Sequence, residues 1–128
     1  MTYTYDRILT DTAMPEAERR VREALGAEGF GVLTEIDVKA TMKQKLDEDI
    51  DDYLILGACN PKMAWEAMNL EPRIGAMLPC NVILRSVDGG TEVSAVDPVA
   101  SMSAVDNSEL HAVAGDVRDM LERAVDAA

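Results

Sequence analysis

Several residue types are scarce in this chain of 128 residues, and each scarcity excludes a class of protein. The two cysteines, Cys59 and Cys80, match neither a CxxC redox motif nor a zinc ribbon. No apolar run approaches the roughly 20 residues that a membrane helix requires. The N-terminus lacks the basic start and apolar centre of a signal peptide. We therefore expect a cytoplasmic protein that does not bind or cross membranes.

Basic residues are also few, with 12 Lys and Arg against 24 Asp and Glu and a formal net charge of −12. Such a surface repels phosphate groups, which argues against binding to nucleic acids or anionic membranes. Two explanations remain open, a cationic partner or adaptation to a salty cytosol. The scarcity of lysine and the dispersal of the carboxylates favour the second, halophilic-like explanation.

The length fits a single domain over residues 1–128, and a hydrophobic content of 48% is sufficient for a core. Alternating and apolar runs predict strands at residues 2–10, 30–36, 53–59, 77–87 and 91–96. Apolar residues at helical spacing predict a helix after Pro15 and a longer one from Ser108. This order predicts an α+β fold, β-α-β(4)-α, with an antiparallel sheet of about five strands. The helices should pack on one face, with short helices between strands.

Residues that begin helices mark the middle of the chain. Asn60-Pro61 and Asp97-Pro98 each combine a capping side chain with a proline suited to the first helical turn. Asp37 should cap a short helix, and Asp11 and Thr12 supply capping residues for the first long helix. Pro79 lacks a backbone N–H and therefore predicts a sheet edge or a bulge.

The candidate site lies in residues 54–82. Cys59 precedes a helix N-terminus, where a thiolate is stabilised, but the frequent burial of cysteine favours the interpretation that it is the buried end of a strand. If the third and fourth strands are antiparallel, Cys59-Asn60 and Cys80-Asn81 meet at one end of the sheet. Such a site suits a small anion, a carbonyl oxygen or a soft metal. Alternatively, the two asparagines only cap and turn the backbone.

Metal and cofactor chemistry has little support in the sequence. Zinc usually takes four ligands, so Cys59 and Cys80 alone are weak metal candidates. The single histidine, His111, falls on the last helix, and we expect it on the helix surface. No nucleotide-binding loop or nucleophile elbow occurs, and the cofactor, if any, is unknown from the sequence.

Four segments together resemble domain-of-unknown-function family 302: residues 33–39, 57–61, 78–82 and 96–98. The positions that match the family pattern are Glu35, Asp37, Lys39, Cys59, Asn60, Pro61, Pro79, Cys80, Asn81, Asp97 and Pro98. The resemblance implies a β-α-β(4)-α layout of the TATA-box-binding-protein-like class, usually as a homodimer. It implies no reaction, and the DNA binding of that fold's namesake does not transfer to an acidic surface.

The sequence therefore favours a binding module for a small ligand or metal ion over an enzyme, and the family resemblance implies that it is a homodimer. The predicted pocket residues are Cys59, Asn60, Cys80, Asn81, Asp97, Glu35 and Lys39. One alternative is a thiol-dependent enzyme or sulfur carrier, in which Lys39 or Lys62 lowers the pKa of a nucleophilic Cys59. A second alternative is an interaction protein in which these motifs only shape the backbone.

Overall fold

The computed structural model describes residues 2–128 and confirms the α+β fold. Five strands form one antiparallel sheet in the order β1-β5-β4-β3-β2. The strands are β1 (Thr4–Thr10), β2 (Gly31–Asp37), β3 (Tyr53–Cys59), β4 (Cys80–Val87) and β5 (Gly90–Val96). The helices are α1 (Met14–Ala27), α2 (Val38–Leu46), α3 (Pro61–Leu70), α4 (Pro98–Ser101) and α5 (Ser108–Ala127), with a 3-10 helix at Pro72–Met77. No helix of the described residues is long and apolar enough to cross a membrane.

The main core lies between one face of the sheet and the two long helices, α1 and α5. Strand residues alternate between the two faces, so every second residue of a strand points towards these helices. Leu56, Val82 and Val93 are almost fully buried on this face, while Val21 and Leu121 approach it from the helices. We call this side of the sheet the helix face and the opposite side the open face.

Three of the predicted caps are confirmed. The side chain of Asp37 accepts a hydrogen bond from the Ala40 amide at 2.9 Å, and that of Asp97 accepts one from the Val99 amide at 2.9 Å. Asn60 accepts one from Met63 at 3.3 Å. Such bonds satisfy amides that would otherwise lack partners at a helix start. The cap of α1 differs from expectation, because it is Ala13 and has no side-chain bond.

The region around Pro79 corrects two predictions. The strand expected over residues 77–87 begins only at Cys80, because Pro72–Met77 form the 3-10 helix. β4 is the middle strand of the sheet, so Pro79 does not mark an edge. Pro79 follows a cis peptide bond and precedes the first residue pair with β3, Ala58 with Cys80. Its missing N–H is tolerated because it lies outside the ladder.

A smaller hydrophobic cluster lies beside the main core and contains Ala67, Ile74, Met102, Leu110 and Ala114. It joins α3, the 3-10 helix and the end of α4 to the first half of α5. These three short elements, which we call the lid, pack mainly on α5 and on one another rather than on the strands. The lid is joined to the sheet through α5, through the buried Met63 of α3, and through the chain itself, because α3 follows β3 and α4 follows β5.

Both ends of α5 are fixed by side chains. Asn107 caps its N-terminus by accepting a bond from Leu110, and its amide donates to the Leu70 carbonyl of the lid at 3.0 Å. At the other end, Arg7 on β1 donates to three carbonyls of residues 125–128, and Arg20 donates to the last of these. Cationic donors are favourable there because the helix dipole is negative at its C-terminus.

Candidate functional site

A cavity of about 30 Å³ lies where β3 ends and β4 begins, beneath α3. It occupies the seam between the main core and the smaller cluster under the lid. Its lining consists of Phe30, Ala58, Cys59, Asn60, Met63, Ala64, Ala67, Leu78, Cys80, Pro98, Met102, Leu110, Val113, Ala114 and Val117. Among the described residues that line it, none carries a charge. The cavity is thus an apolar space with two thiols and one amide in its wall.

Cys80 is the buried thiol of the cavity. It pairs with Ala58 across the ladder, so both side chains lie on the helix face. Burial, and to a smaller extent the neighbouring Cys59 thiol, raises the pKa of Cys80 to about 11. An apolar environment disfavours the thiolate, so Cys80 is a protonated thiol near neutral pH.

Cys59 is the last residue of β3 and is half-buried. It follows Ala58 directly, so the alternation of the strand directs it away from the helix face on which Cys80 lies. Both cysteines are unpaired thiols that border the cavity. The strand ladder therefore brings the two cysteines close together without stacking their side chains.

Asn60 uses only half of its amide to cap α3. Its oxygen accepts the Met63 amide, whereas its nitrogen Nδ2 contacts the Met120 sulfur at 3.8 Å. A thioether is a weak acceptor, so this donor is poorly satisfied by the protein. Asn60 lies in the cavity lining, but its Nδ2 is directed towards Met120 of α5, which does not line the cavity.

Two other residues of the predicted pocket lie away from the cavity. Asn81 pairs with Gly57 and is exposed on the open face. Asp97 caps α4 and borders a separate depression that also includes Tyr5 and Arg118. Its neighbour Pro98, rather than Asp97, borders the cavity.

Glu35 and Lys39 belong to a different part of the molecule. Glu35 lies in a groove beside β2 that is also lined by Met14, Pro15, Glu18, Asp37, Asp52, Tyr53 and Leu54. In this acidic groove, a carboxylate oxygen of Glu35 forms an ion pair with the guanidinium group of Arg22 at 2.6 Å. The Lys39 ammonium nitrogen on α2 forms an ion pair with a carboxylate oxygen of Asp52 at 3.5 Å. The structure thus divides the predicted residues between an apolar cavity and an acidic groove.

The sequence did not indicate that α5 forms one wall of the cavity. Leu110, Val113, Ala114 and Val117 belong to the helical stripe that predicts α5, but a stripe does not reveal which surface it covers. His111 also differs from expectation: it is half-buried, and its Nε2 is enclosed without a hydrogen-bond partner. Within residues 2–128, no three His, Cys, Asp or Glu side chains group as metal ligands.

Comparison with known proteins identifies the family. Residues 7–128 match the domain of unknown function DUF302. The chain belongs to the DUF302 family. Among solved structures, it is similar to an uncharacterized conserved DUF302 protein from Bacillus stearothermophilus, with 27% identity and a TM-score of 0.92. The match covers 99% of this chain and 98% of the other. A comparison with curated proteins finds no match.

Proposed function

We propose that this DUF302 chain is a homodimeric binding module whose cavity at Cys59, Asn60 and Cys80 takes a small ligand. The observation that carries the proposal is the cavity itself, at the junction of two strand ends and a capped helix start. Pockets for drug-sized ligands measure about 300–1,000 Å³. A cavity of about 30 Å³ instead holds one or two waters or a single ion, unless it widens.

Native mass spectrometry of the purified protein tests the binding function. We expect an added mass that survives gentle ionisation and is lost on denaturation. Ala114→Leu should abolish the added mass, because Ala114 is buried and lines the cavity. The matched control is Ala112→Leu, two residues away on the exposed side of α5. Retention of the same mass in the Ala114→Leu protein would place the ligand elsewhere.

The open face supports the dimer part of the proposal. Ile36, Ile55 and Ile83 are adjacent across three strands, since Ile36 pairs with Ile55 and Ile55 with Ile83. Ile36 is 47% exposed, and the other two are half-buried. A row of three isoleucines on a sheet face is typical of an interaction surface.

The charged residues of the open face favour a second copy of the chain as the partner that covers the three isoleucines. Arg85 and Glu92 pair across β4 and β5 at 2.6 Å on the same face. The open face therefore carries both signs of charge beside the isoleucine row, as a self-complementary two-fold contact requires.

Sedimentation velocity at micromolar concentration tests the dimer. Ile83→Glu should convert dimer to monomer, because it places two carboxylates opposite each other in a desolvated contact. Ile50→Glu makes the same change in the loop between α2 and β3 and should leave the dimer intact. A dimer that persists in a folded Ile83→Glu protein would rule out this face.

One feature favours a binding module over the thiol enzyme, in which Cys59 would be the nucleophile. Lys39, one of the two lysines considered as activators of Cys59, is engaged with Asp52.

A further inference from the structure

The exposed residues of α3 form one continuous face of the helix. At about 3.6 residues per turn, they fall within roughly a third of the circumference, with Trp65 at the centre. This face, which we call the Trp65 face, consists of Pro61, Lys62, Trp65, Met68 and Asn69. On the opposite side of α3, Met63 and Ala67 are buried in the two hydrophobic clusters. The helix is therefore packed on one side, and no described part of the chain covers the other.

Large apolar side chains lie at the centre of the Trp65 face. Trp65 is 66% exposed, and Met68, on the same side of the helix, is 45% exposed. Residues three apart on a helix are neighbours, so the two side chains form one apolar patch. Tryptophan and methionine are enriched at protein interfaces, and tryptophan is enriched among the residues that contribute most to binding. The patch therefore has the composition of an interaction surface.

The cations of this part of the lid have no bonded partner. Within residues 2–128, the Lys and Arg side chains that neither pair with a carboxylate nor donate a hydrogen bond are Lys45, Lys62 and Arg73. Lys62 belongs to the Trp65 face, and Arg73 is exposed in the 3-10 helix that packs on α3. Of the nearby carboxylates, Glu66 is half-buried and Glu71 accepts a hydrogen bond from the Arg73 amide. On a chain with a net charge of −12, the lid thus offers two free positive charges beside an exposed tryptophan.

We propose that the Trp65 face is a docking surface for an acidic amphipathic segment of another protein. The apolar side of the segment covers Trp65 and Met68, and its carboxylates pair with Lys62 and Arg73. This surface includes no residue of the cavity lining or of the open face, so the inference is independent of the binding function proposed above.

The sign of the local charge decides between classes of partner. A basic segment would meet Lys62 and Arg73, which repel it at the point of contact. Nucleic acids and anionic membranes carry dense negative charge, which the chain as a whole repels. A short acidic segment carries few charges, and at physiological salt the distant carboxylates of the chain are screened beyond about 8 Å. The nearby cations therefore outweigh the net charge only for a small acidic partner.

Two designed peptides test the charge preference on the full chain. Both are amphipathic helices of Leu and Ala, with Glu at every polar position in one and Lys in the other, and neither contains tryptophan. Trp65 is the single tryptophan of the protein, so its emission and its indole N–H resonance report on this face alone. We expect the acidic peptide to move the emission to shorter wavelength, because it covers the indole. It should bind at this face about tenfold more tightly than the basic peptide, since two exposed pairs change from repulsive to attractive.

A matched pair of variants tests the cations. Lys62→Glu should weaken the binding of the acidic peptide about three- to tenfold, because one attractive pair becomes repulsive. The fold should be retained, because Lys62 is exposed and a carboxylate is favourable in the first turn of a helix. Lys45→Glu makes the same change at the free cation of α2 and should leave the affinity unchanged. Equal losses in the two variants would mean that only the net charge matters, and would overturn the proposal.

The remaining outcomes are equally decisive. Equal or tighter binding of the basic peptide at the Trp65 indole would overturn the charge preference on which the partner class rests. Vesicles containing phosphatidylserine test a membrane as the alternative, and an emission shift with these vesicles but not with the acidic peptide would overturn a protein partner. No response of Trp65 to the acidic peptide up to about 1 mM, where binding is already very weak, would overturn the docking surface itself. None of these results bears on the cavity or the dimer.

Discussion

The cavity beneath α3 is lined by apolar side chains, two thiols and an amide, whereas the acidic groove beside β2 is lined by four carboxylates. The groove measures about 310 Å³ and the cavity about 30 Å³. In the groove, Arg22 neutralises Glu18 and Glu35 by direct ion pairs. In the cavity, neutrality is maintained because Cys80 keeps its proton.

The contrast shows that residues of one family pattern serve in two unlike environments. Glu35 and Cys80 both belong to the pattern, yet one is an exposed member of an ion pair and the other a buried neutral thiol. Water screens charges in the groove, so its ion pairs are individually weak. Most residues of the cavity wall are buried, so each atom of the wall has a larger effect on stability.

The largest expected effect comes from removing apolar volume from the cavity wall, with an exposed leucine outside both regions as the control. Leu110 is fully buried in the cavity wall, so Leu110→Ala should lower the free energy of unfolding by about 2–5 kcal/mol. Leu46 on α2 is 66% exposed, and Leu46→Ala should change the free energy of unfolding by less than about 0.5 kcal/mol. Urea unfolding followed by far-ultraviolet circular dichroism measures both. Equal losses would show that the cavity wall is not a packed core.

A somewhat smaller effect is expected from the pH dependence of the buried thiol. The pKa of Cys80 is about 11 in the folded chain and about 9 for the exposed thiol, so folding favours the protonated form. This contribution is fully present below about pH 9 and is lost as the pH rises towards 11, amounting to about 2–3 kcal/mol. The difference in unfolding free energy between the wild type and Cys80→Ala, measured from pH 7.5 to 10.5, should shrink accordingly. A constant difference would contradict the burial of the thiol.

The smallest effect is expected in the groove. Arg22→Met removes both ion pairs to Glu18 and Glu35, each partly exposed, and should cost about 0.5–1 kcal/mol at low salt. The loss should shrink in 1 M NaCl, because salt screens exposed charges. Arg19→Met, on the outer surface of the same helix, is the control and should cost less. A loss that is insensitive to salt would mean that Arg22 acts through packing.

Much of the fold follows from local features of the sequence. β3 was predicted with its observed bounds because a run of apolar residues ends at the Asn60-Pro61 cap. The start of α5 at Ser108 was predicted from the long stripe of apolar residues that follows it. Caps and periodicity are properties of neighbouring residues, so they can be read without knowledge of the tertiary structure.

The rest depends on strand pairing, which local patterns do not determine. The order of the sheet places β4 in the middle, so Pro79 introduces a central strand instead of an edge. The register fixes which residues share a face, and a shift of one residue reverses it. Asn81 consequently lies on the open face while Cys80, its neighbour, lies in the cavity wall. For the same reason, the walls contributed by α4 and α5 were not foreseen.

The single tryptophan, Trp65, lies on the outer surface of α3, where it is 66% exposed. Its fluorescence therefore reports on the lid and responds little to changes in the main core. If the lid loosens before the sheet, the emission will change at a lower denaturant concentration than the circular dichroism signal of α1 and the strands. An apparent two-state melting curve recorded by fluorescence alone would then describe the opening of the cavity and not the unfolding of the protein.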